Sequence, residues 1–255
     1  MITLLSPAKT LDYESPLPVK DFSVPGNLRQ SKQLIKALRK KDPQDLSDLM
    51  GLSERLANLN FERNMNWEPP VKHSDDIRQA IFAFKGDVYT GLSAYSLKKS
   101  DIIFLDKHVR ILSGLYGILK PLDLMSPYRL EMGTKFENAK GKNLYDFWSN
   151  EVTNNLNKNI KKHENKTIIN CSSNEYFNVI DQKNLEGDIL NTVFKEYRDG
   201  ELKFISFNAK KARGLLAKFV INNKIKSIND LKDFNLENYK FDSSLSDDLT
   251  FVFTR

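Results

Sequence analysis

The chain opens on an uninterrupted apolar run, Ile2–Leu5, closed by Ser6-Pro7, which predicts a buried first strand running out into a loop. Over residues 27–41 the spacing changes. Leu28, Leu34, Ile35 and Leu38 recur at helical intervals with basic residues between them, the pattern of an amphipathic helix. Residues 45–59 repeat it with Leu46, Leu49, Leu52, Leu56 and Leu59, and Asp42-Pro43 separates the two, so a helical hairpin is expected. Pro69-Pro70 makes residues 67–71 a connection. Asp75-Asp76 can cap a helix over residues 77–81, and the glycine-bounded segment 86–91 predicts a strand or turn beside the core.

Residues 101–130 are densely apolar, with paired glycines and prolines. Residues 167–170 predict another buried strand. A helix over 172–180 follows, in which Ser172 and Glu175 match a capping box. Between 188 and 206 two alternating runs flank Arg198-Asp199-Gly200, which predicts a β-hairpin. Asn208 then heads a helix over 209–222, and residues 251–253 form a last short strand. With no internal repeat and no low-complexity linker, the expected architecture is a single mixed α/β domain over residues 1–255: a mixed β-sheet flanked by helices.

Composition narrows the class. Of 255 residues, 40% are hydrophobic, and the mean hydropathy is −0.49, too apolar for disorder and too polar for a membrane protein. No uncharged apolar run approaches the ~18 residues that span a bilayer, and the N-terminus lacks the basic leader of a signal peptide. A cytoplasmic protein without a membrane partner is expected. The single Cys171 excludes an intramolecular disulfide and a thiolate zinc cluster, and the scatter of His73, His108 and His163 disfavours a multi-His metal site while leaving a carboxylate site open; no metal and no cofactor is expected. Lys and Arg total 39 against 33 Asp and Glu, and this net charge of +6 mildly favours an anionic partner.

Four segments could carry chemistry. Ser6-Pro7-Ala8-Lys9-Thr10 leaves a strand end, a common binding position in α/β folds, but it lacks the glycines of a nucleotide P-loop. The stretch from Phe104 to Pro121 has apolar runs on both sides of Gly114-Leu115-Tyr116-Gly117, with Lys107, Arg110 and Lys120 around it. Two readings fit it. One is a helix–hairpin–helix-like element whose glycines admit a phosphate to the backbone; the other is a strand entering a tight turn, with the glycines serving close packing. Asp106, His108 and Arg110 alternate there and would share one strand face, with Asp106 and His108 as an acid–base pair, His108 as a contributor to a metal site, or all three as ordinary hydrogen-bonded residues. Lys210-Lys211-Ala212-Arg213-Gly214 follows the Asn208 cap. Cations in a first turn oppose the helix dipole, so a bound anion would account for them, and a solvated basic face is the alternative. Arg129 and Glu131 would share a strand face as a buried ion pair or a site pair. Residues 144–148 and Cys171 read as core packing, with Cys171 an inert thiol.

Taken in order, several of these pieces resemble the bacterial YaaA family of peroxide-stress proteins. They are Ser6-Pro7-Ala8-Lys9-Thr10-Leu11, Gly86-Asp87-Val88-Tyr89, the segments 104–117 and 120–124, Pro127 to Gly133, Leu144-Tyr145, Asn174-Glu175-Tyr176-Phe177 and Lys210 to Gly214. Cys171-Ser172 stands where that family more often has Leu-Ala, and Asn178 where a Lys is common. The resemblance implies a cytosolic protein that limits oxidative damage, linked to lowering free intracellular iron. It also implies a single mixed α/β domain with a helix–hairpin–helix-like element, a basic cleft and DNA binding; it carries no catalytic mechanism. The expected partner is DNA, recognised by shape or damage and not by sequence, with phosphates held by Lys9, Lys107, Arg110, Lys120, Arg129, Lys210, Lys211 and Arg213 and admitted at Gly114 and Gly117. The alternative is an enzyme acting on a small phosphorylated or nucleobase-like anionic ligand in the same cleft, with Asp106, His108, Glu131 and Glu175 for acid–base work. An enclosed pocket with converging carboxylates would favour the enzyme, and a broad open groove would favour DNA.

Overall fold

The computed structural model describes residues 1–255, and its organising element is β1 (Ile2–Leu5), whose four residues are buried on both faces. Such a run suits the interior of a parallel sheet covered on both sides. From β1 the chain passes through β2 (Thr10–Leu11) into three helices, α1 (Leu28–Leu38), α2 (Pro43–Met50) and α3 (Glu54–Asn66). Next come β3 (Arg78–Gln79), α4 (Ala80–Ala83), β4 (Phe84–Lys85), α5 (Asp87–Leu92) and α6 (Lys99–His108). β5 (Val109–Ser113) and β6 (Gly117–Leu119) form a hairpin, and β7 (Leu124–Met125) pairs with β3. The second half holds α7 (Leu144–Ile160), β8 (Ile168–Cys171), α8 (Asn174–Phe177), β9 (Ile189–Arg198), β10 (Glu201–Lys203), α9 (Ser206–Asn222), β11 (Lys240–Phe241) and β12 (Thr250–Thr254).

The main sheet runs β11-β12-β9-β8-β1-β5-β6, with β10 paired to β9. Its interior, β12-β9-β8-β1-β5, is parallel throughout, and the antiparallel strands β11 and β6 close its edges. This is the mixed α/β fold that the periodicity implied. One hydrophobic core of 61 buried residues includes both Met1 and Phe253, so the two ends of the chain close on the same interior. β1 and β8 are neighbours, yet the chain leaves β1 towards β5 and leaves β8 towards β9, on opposite sides. A crevice opens beyond the carboxyl ends of adjacent strands whose connections diverge in this way. No helix is long and apolar enough to cross a membrane.

Local chemistry explains the element ends and the departures from expectation. Residues 45–59 do not form one helix. Asp42 and Asp45 form a reciprocal capping box with Pro43 in the first turn of α2, and Gly51, at φ 62°, stops that helix before α3 begins. The helix expected over 77–81 starts only at Ala80, because Arg78 and Gln79 pair with Met125 and Leu124. Segment 86–91 is helical, as α5. In place of a helix over 172–180, α8 is a single turn, and the Ser172 hydroxyl donates to Asn170 Oδ1 instead of capping it. The hairpin over 188–206 is present. Asp199 and Gly200, at φ 55° and 80°, form the two-residue turn with two left-handed positions that suits the twist of paired strands.

The segment around Gly114 and Gly117 is not a helix–hairpin–helix. Its flanks are β5 and β6, five and three fully buried residues in strand pairing. The glycines serve packing. A Cβ on Gly114 would lie 2.1 Å from the Leu130 carbonyl oxygen, and one on Gly117, at φ +70°, would lie 2.6 Å from the Trp148 ring. The helices joined by a short glycine turn are α2 and α3 instead, and Asp48 and Glu54 flank that turn.

Candidate functional site

The crevice beyond β1 and β8 contains a pocket of ≈ 290 Å³. β1 delivers Ser6, Pro7, Ala8 and Lys9 to it; the turn after β8 delivers Ser173, Glu175 and Tyr176; α9 adds Lys210 and Arg213. The two strand exits are tied together. The Ser173 N–H donates to Ser6 Oγ at 2.9 Å, and the Tyr89 hydroxyl donates to the Ser6 carbonyl at 3.0 Å. The extended segment Tyr128-Arg129-Leu130-Glu131 forms another wall, and Lys85 and Asp87 stand at the rim.

α5 and α9 cross at two glycines, and this crossing sets the position of the pocket's cationic wall. A Cβ on Gly214 would lie 1.8 Å from the Val88 carbonyl oxygen, and one on Gly91 would lie 2.1 Å from that of Lys211. α9 begins at Ser206, earlier than the Asn208 cap implied, so Lys210 and Arg213 lie beyond the first turn, where the dipole penalty has faded. Their placement in the pocket, and not their position along the helix, is what makes them notable.

Five cations and three carboxylates share the pocket. Glu131 Oε1 accepts from Arg129 Nε at 2.7 Å and meets Arg129 Nη2 at 2.7 Å and Lys9 Nζ at 3.2 Å. Its other oxygen, Oε2, is buried and makes no hydrogen bond within the protein. Glu175 Oε1 accepts from the Gly133 N–H at 3.1 Å, fastening the turn after β8 to the wall opposite. Arg213 is the unusual member. Burial pushes its guanidinium below the ordinary arginine range, the one influence opposing this is the Cys171 thiol, and its Nε has no partner. A desolvated cation with no counter-charge is costly unless something anionic reaches it. Tyr89, Tyr128 and Tyr176 are each 7% exposed, and burial raises their hydroxyl pKa values, so all three stay neutral.

Of the residues singled out from the sequence, Lys9, Arg129, Glu131, Glu175, Lys210 and Arg213 come together here. The others do not. Lys211 turns away into an ion pair with Glu237 at 2.5 Å. Gly114 packs beneath the wall at Leu130, and Gly117 packs on Trp148. Asp106, His108, Arg110 and Lys120 gather at the opposite pole, where β1 and β5 begin. Asp106 and His108 are on α6, so they do not share a strand face with Arg110. Arg110 is 4% exposed and donates to the carbonyls of Asp106 and Val109 and to Asn159 Oδ1. Asp106 accepts from the Leu122 N–H and pairs with Lys120 at 3.8 Å. His108 Nδ1 lies 3.0 Å from the Met1 carbonyl, and its ring stacks on Phe104. These are fold contacts. Lys107 is exposed on α6, outside the pocket. Cys171 is buried, as the sequence implied, and burial pushes its thiol up to about 11, leaving it unreactive. Residue-by-residue reading overlooked Lys85, Asp87 and the three tyrosines as pocket residues. Asp87 and Tyr89 lie in Gly86-Asp87-Val88-Tyr89, and the matched segments were the only signal for them.

The family model described as peroxide stress protein YaaA matches residues 1–245. The chain belongs to the peroxide stress protein YaaA family. Full-length relatives agree. A UPF0246 protein of Aliivibrio fischeri is 49% identical over 255 residues, covering 100% of this chain and 98% of its own. One from Saccharophagus degradans is 48% identical with 99% of its length covered. One from Burkholderia cenocepacia is 46% identical over 257 residues. The match takes in every wall of the pocket in this YaaA-family chain, from Ser6 to Arg213.

Proposed function

We propose that this YaaA-family protein acts by capturing a small phosphate-bearing ligand in the pocket at the ends of β1 and β8. The observation that carries the reading is Arg213, a half-buried guanidinium without a protein counter-ion, lining the pocket with Lys210 exposed at its rim. Glu131 and Glu175 in the same space equip it for proton transfer to the ligand as well as for recognition. Titration calorimetry with ribose 5-phosphate tests this. Binding should weaken at least tenfold in Arg213→Gln, a loss of about 1.4 kcal/mol. Equal binding by the folded variant refutes it.

DNA is the second reading, favoured by Lys9, Lys85 and Lys210, all exposed at the rim. In that case affinity for duplex or branched DNA falls steeply with salt, with a slope of roughly one unit per phosphate contact. Binding that ignores salt refutes it. In either reading the link to free iron is indirect, because the pocket's chemistry is anion recognition.

A further inference from the structure

A second cavity, of ≈ 500 Å³, lies beside the C-terminal half of α3 and shares no lining residue with the pocket beyond β1 and β8. Small-molecule sites span roughly 300–1,000 Å³, so this one is of ligand size. Leu59, Glu62, Arg63 and Asn66, spaced i, i+3, i+4 and i+7, give it one face of α3. The helix meets the core with a different set, Ala57, Asn60 and Asn64, which are buried. The face towards the cavity is therefore left over from folding.

The charges on this cavity are of both signs and do not neutralise one another. Of its carboxylates Glu62, Glu68 and Asp76, only Glu68 is in an ion pair, with Arg39 at 3.9 Å. Arg63, the one cation of the lining, has none. Its Nη1 donates to Asn60 Oδ1 at 3.3 Å, while Nε and Nη2 make no hydrogen bond within the protein and keep surface open to solvent. Burial lowers the pKa of this half-buried guanidinium; Tyr13 opposes the shift and Arg129 adds to it. An anion alone would suit Arg63 but meet the carboxylates, and a cation alone would suit the carboxylates but meet Arg63. A compound carrying both charges fits both. Leu59, Ile77 and Pro127 add apolar surface to the same cavity.

We propose that this cavity binds a zwitterionic amino acid with an apolar side chain. Its carboxylate lies on the free donors of Arg63, its ammonium against Glu62 and Asp76, and its side chain along Leu59, Ile77 and Pro127. The proposal is independent of phosphate capture in the first pocket. The probes are L-phenylalanine, 3-phenylpropionate, which lacks the ammonium, and 2-phenylethylamine, which lacks the carboxylate. Calorimetry on the full chain should show L-phenylalanine binding about tenfold tighter, or more, than either of the others. Arg63→Gln should erase that advantage over 2-phenylethylamine, with the amine bound as before or more tightly. The double variant Glu62→Gln, Asp76→Asn should erase the advantage over 3-phenylpropionate, with the acid bound as before or more tightly. Such opposite responses do not follow from a general loosening of the cavity, and circular dichroism checks that both variants are folded. Should a variant fail to fold, the comparison of the three compounds on the parent still decides. If 3-phenylpropionate or 2-phenylethylamine matches L-phenylalanine on the parent, the site reads one charge only and the proposal is overturned. It is overturned equally if L-phenylalanine does not bind, or if the folded variants weaken all three compounds alike.

Discussion

Replacing Gly214 with alanine sets two effects of known sign against each other. In an exposed helix the change is favourable by about 1 kcal/mol, because alanine is the better helix former. Here the new Cβ would stand 1.8 Å from the Val88 carbonyl oxygen and 2.8 Å from the Leu92 nitrogen, where ordinary contact begins at 3.4 Å. Both obstacles are backbone, so no rotamer change relieves them, and α5 and α9 must separate by more than an ångström. Overpacking of this kind costs about 1–3 kcal/mol where side chains can yield, and rigid backbone puts this site at the top of that range or above. The expected net loss is therefore about 2 kcal/mol. For a chain of this size that lowers Tm by roughly 5 °C and moves the urea midpoint down without changing the slope. The separation also displaces Lys210 and Arg213, so ribose 5-phosphate binding should weaken in the folded variant. Gly91→Ala strikes the same crossing from the other helix, and the double variant should lose less than the two single losses added together, because the first separation makes room for the second. A Gly214→Ala protein as stable as the parent would show that the crossing is soft, and the account of how α9 is positioned would be wrong.

Lys211→Ala removes only a partly exposed ion pair with Glu237 and should cost under about 1 kcal/mol with ligand affinity unchanged, whereas Lys210→Ala should weaken ligand binding; urea melts and calorimetry on both check the contrast. Arg110→Ala leaves a cavity and strips partners from two carbonyls and Asn159, so a loss of about 2–4 kcal/mol is expected in chemical denaturation, with no change in phosphate affinity of the folded protein. Burial lowers the pKa of His108, and takes that of His163 down to about 4 and that of the Met1 amine down to about 6. Each is a base that the unfolded chain protonates first, so stability is full above the unfolded values and declines as pH falls, from about 8 to 6 for the amine and from about 6.5 to 4 for His163. Urea midpoints measured between pH 8 and 4 should fall steadily, and His163→Gln should flatten the lower part; an unchanged slope there would refute the assignment.

Elements whose signal is local were legible in the sequence. β1 and β8 announce themselves as short unbroken apolar runs, and the Asp199-Gly200 turn as a pair that tolerates positive φ. Elements decided by distant partners were not. Arg78 and Gln79 are a strand because β7 lies alongside, and α5 is a helix that packs against α9, far away in sequence. The same division runs through the site. Charge singled out Lys9, Lys210 and Arg213, which do converge, but charge alone could not separate Arg213 from Arg110. Arg110 is buried, with its guanidinium held by two carbonyls and Asn159, whereas Arg213 is half-buried and lines the pocket. Glycine spacing at 114–117 pointed to a phosphate hairpin because glycine's two uses, admitting a ligand and admitting a neighbouring backbone, look identical until the neighbours are known.

The edges of the sheet bear on how the protein behaves in a crowd. A sheet with five parallel interior strands would be a template for chain-to-chain addition if one of them lay bare. None does. β6 offers three residues at one end and β11 two at the other, both antiparallel, and Lys240 adds a charge on the β11 edge. The projecting β10 is equally short and carries Glu201 and Lys203. Copies of the chain therefore find no long, flat, uncharged margin on which to stack, and the native state should resist fibrillar self-association even at high concentration. Lengthening β6, or removing the charges from β10 and β11, would be the way to lose that protection.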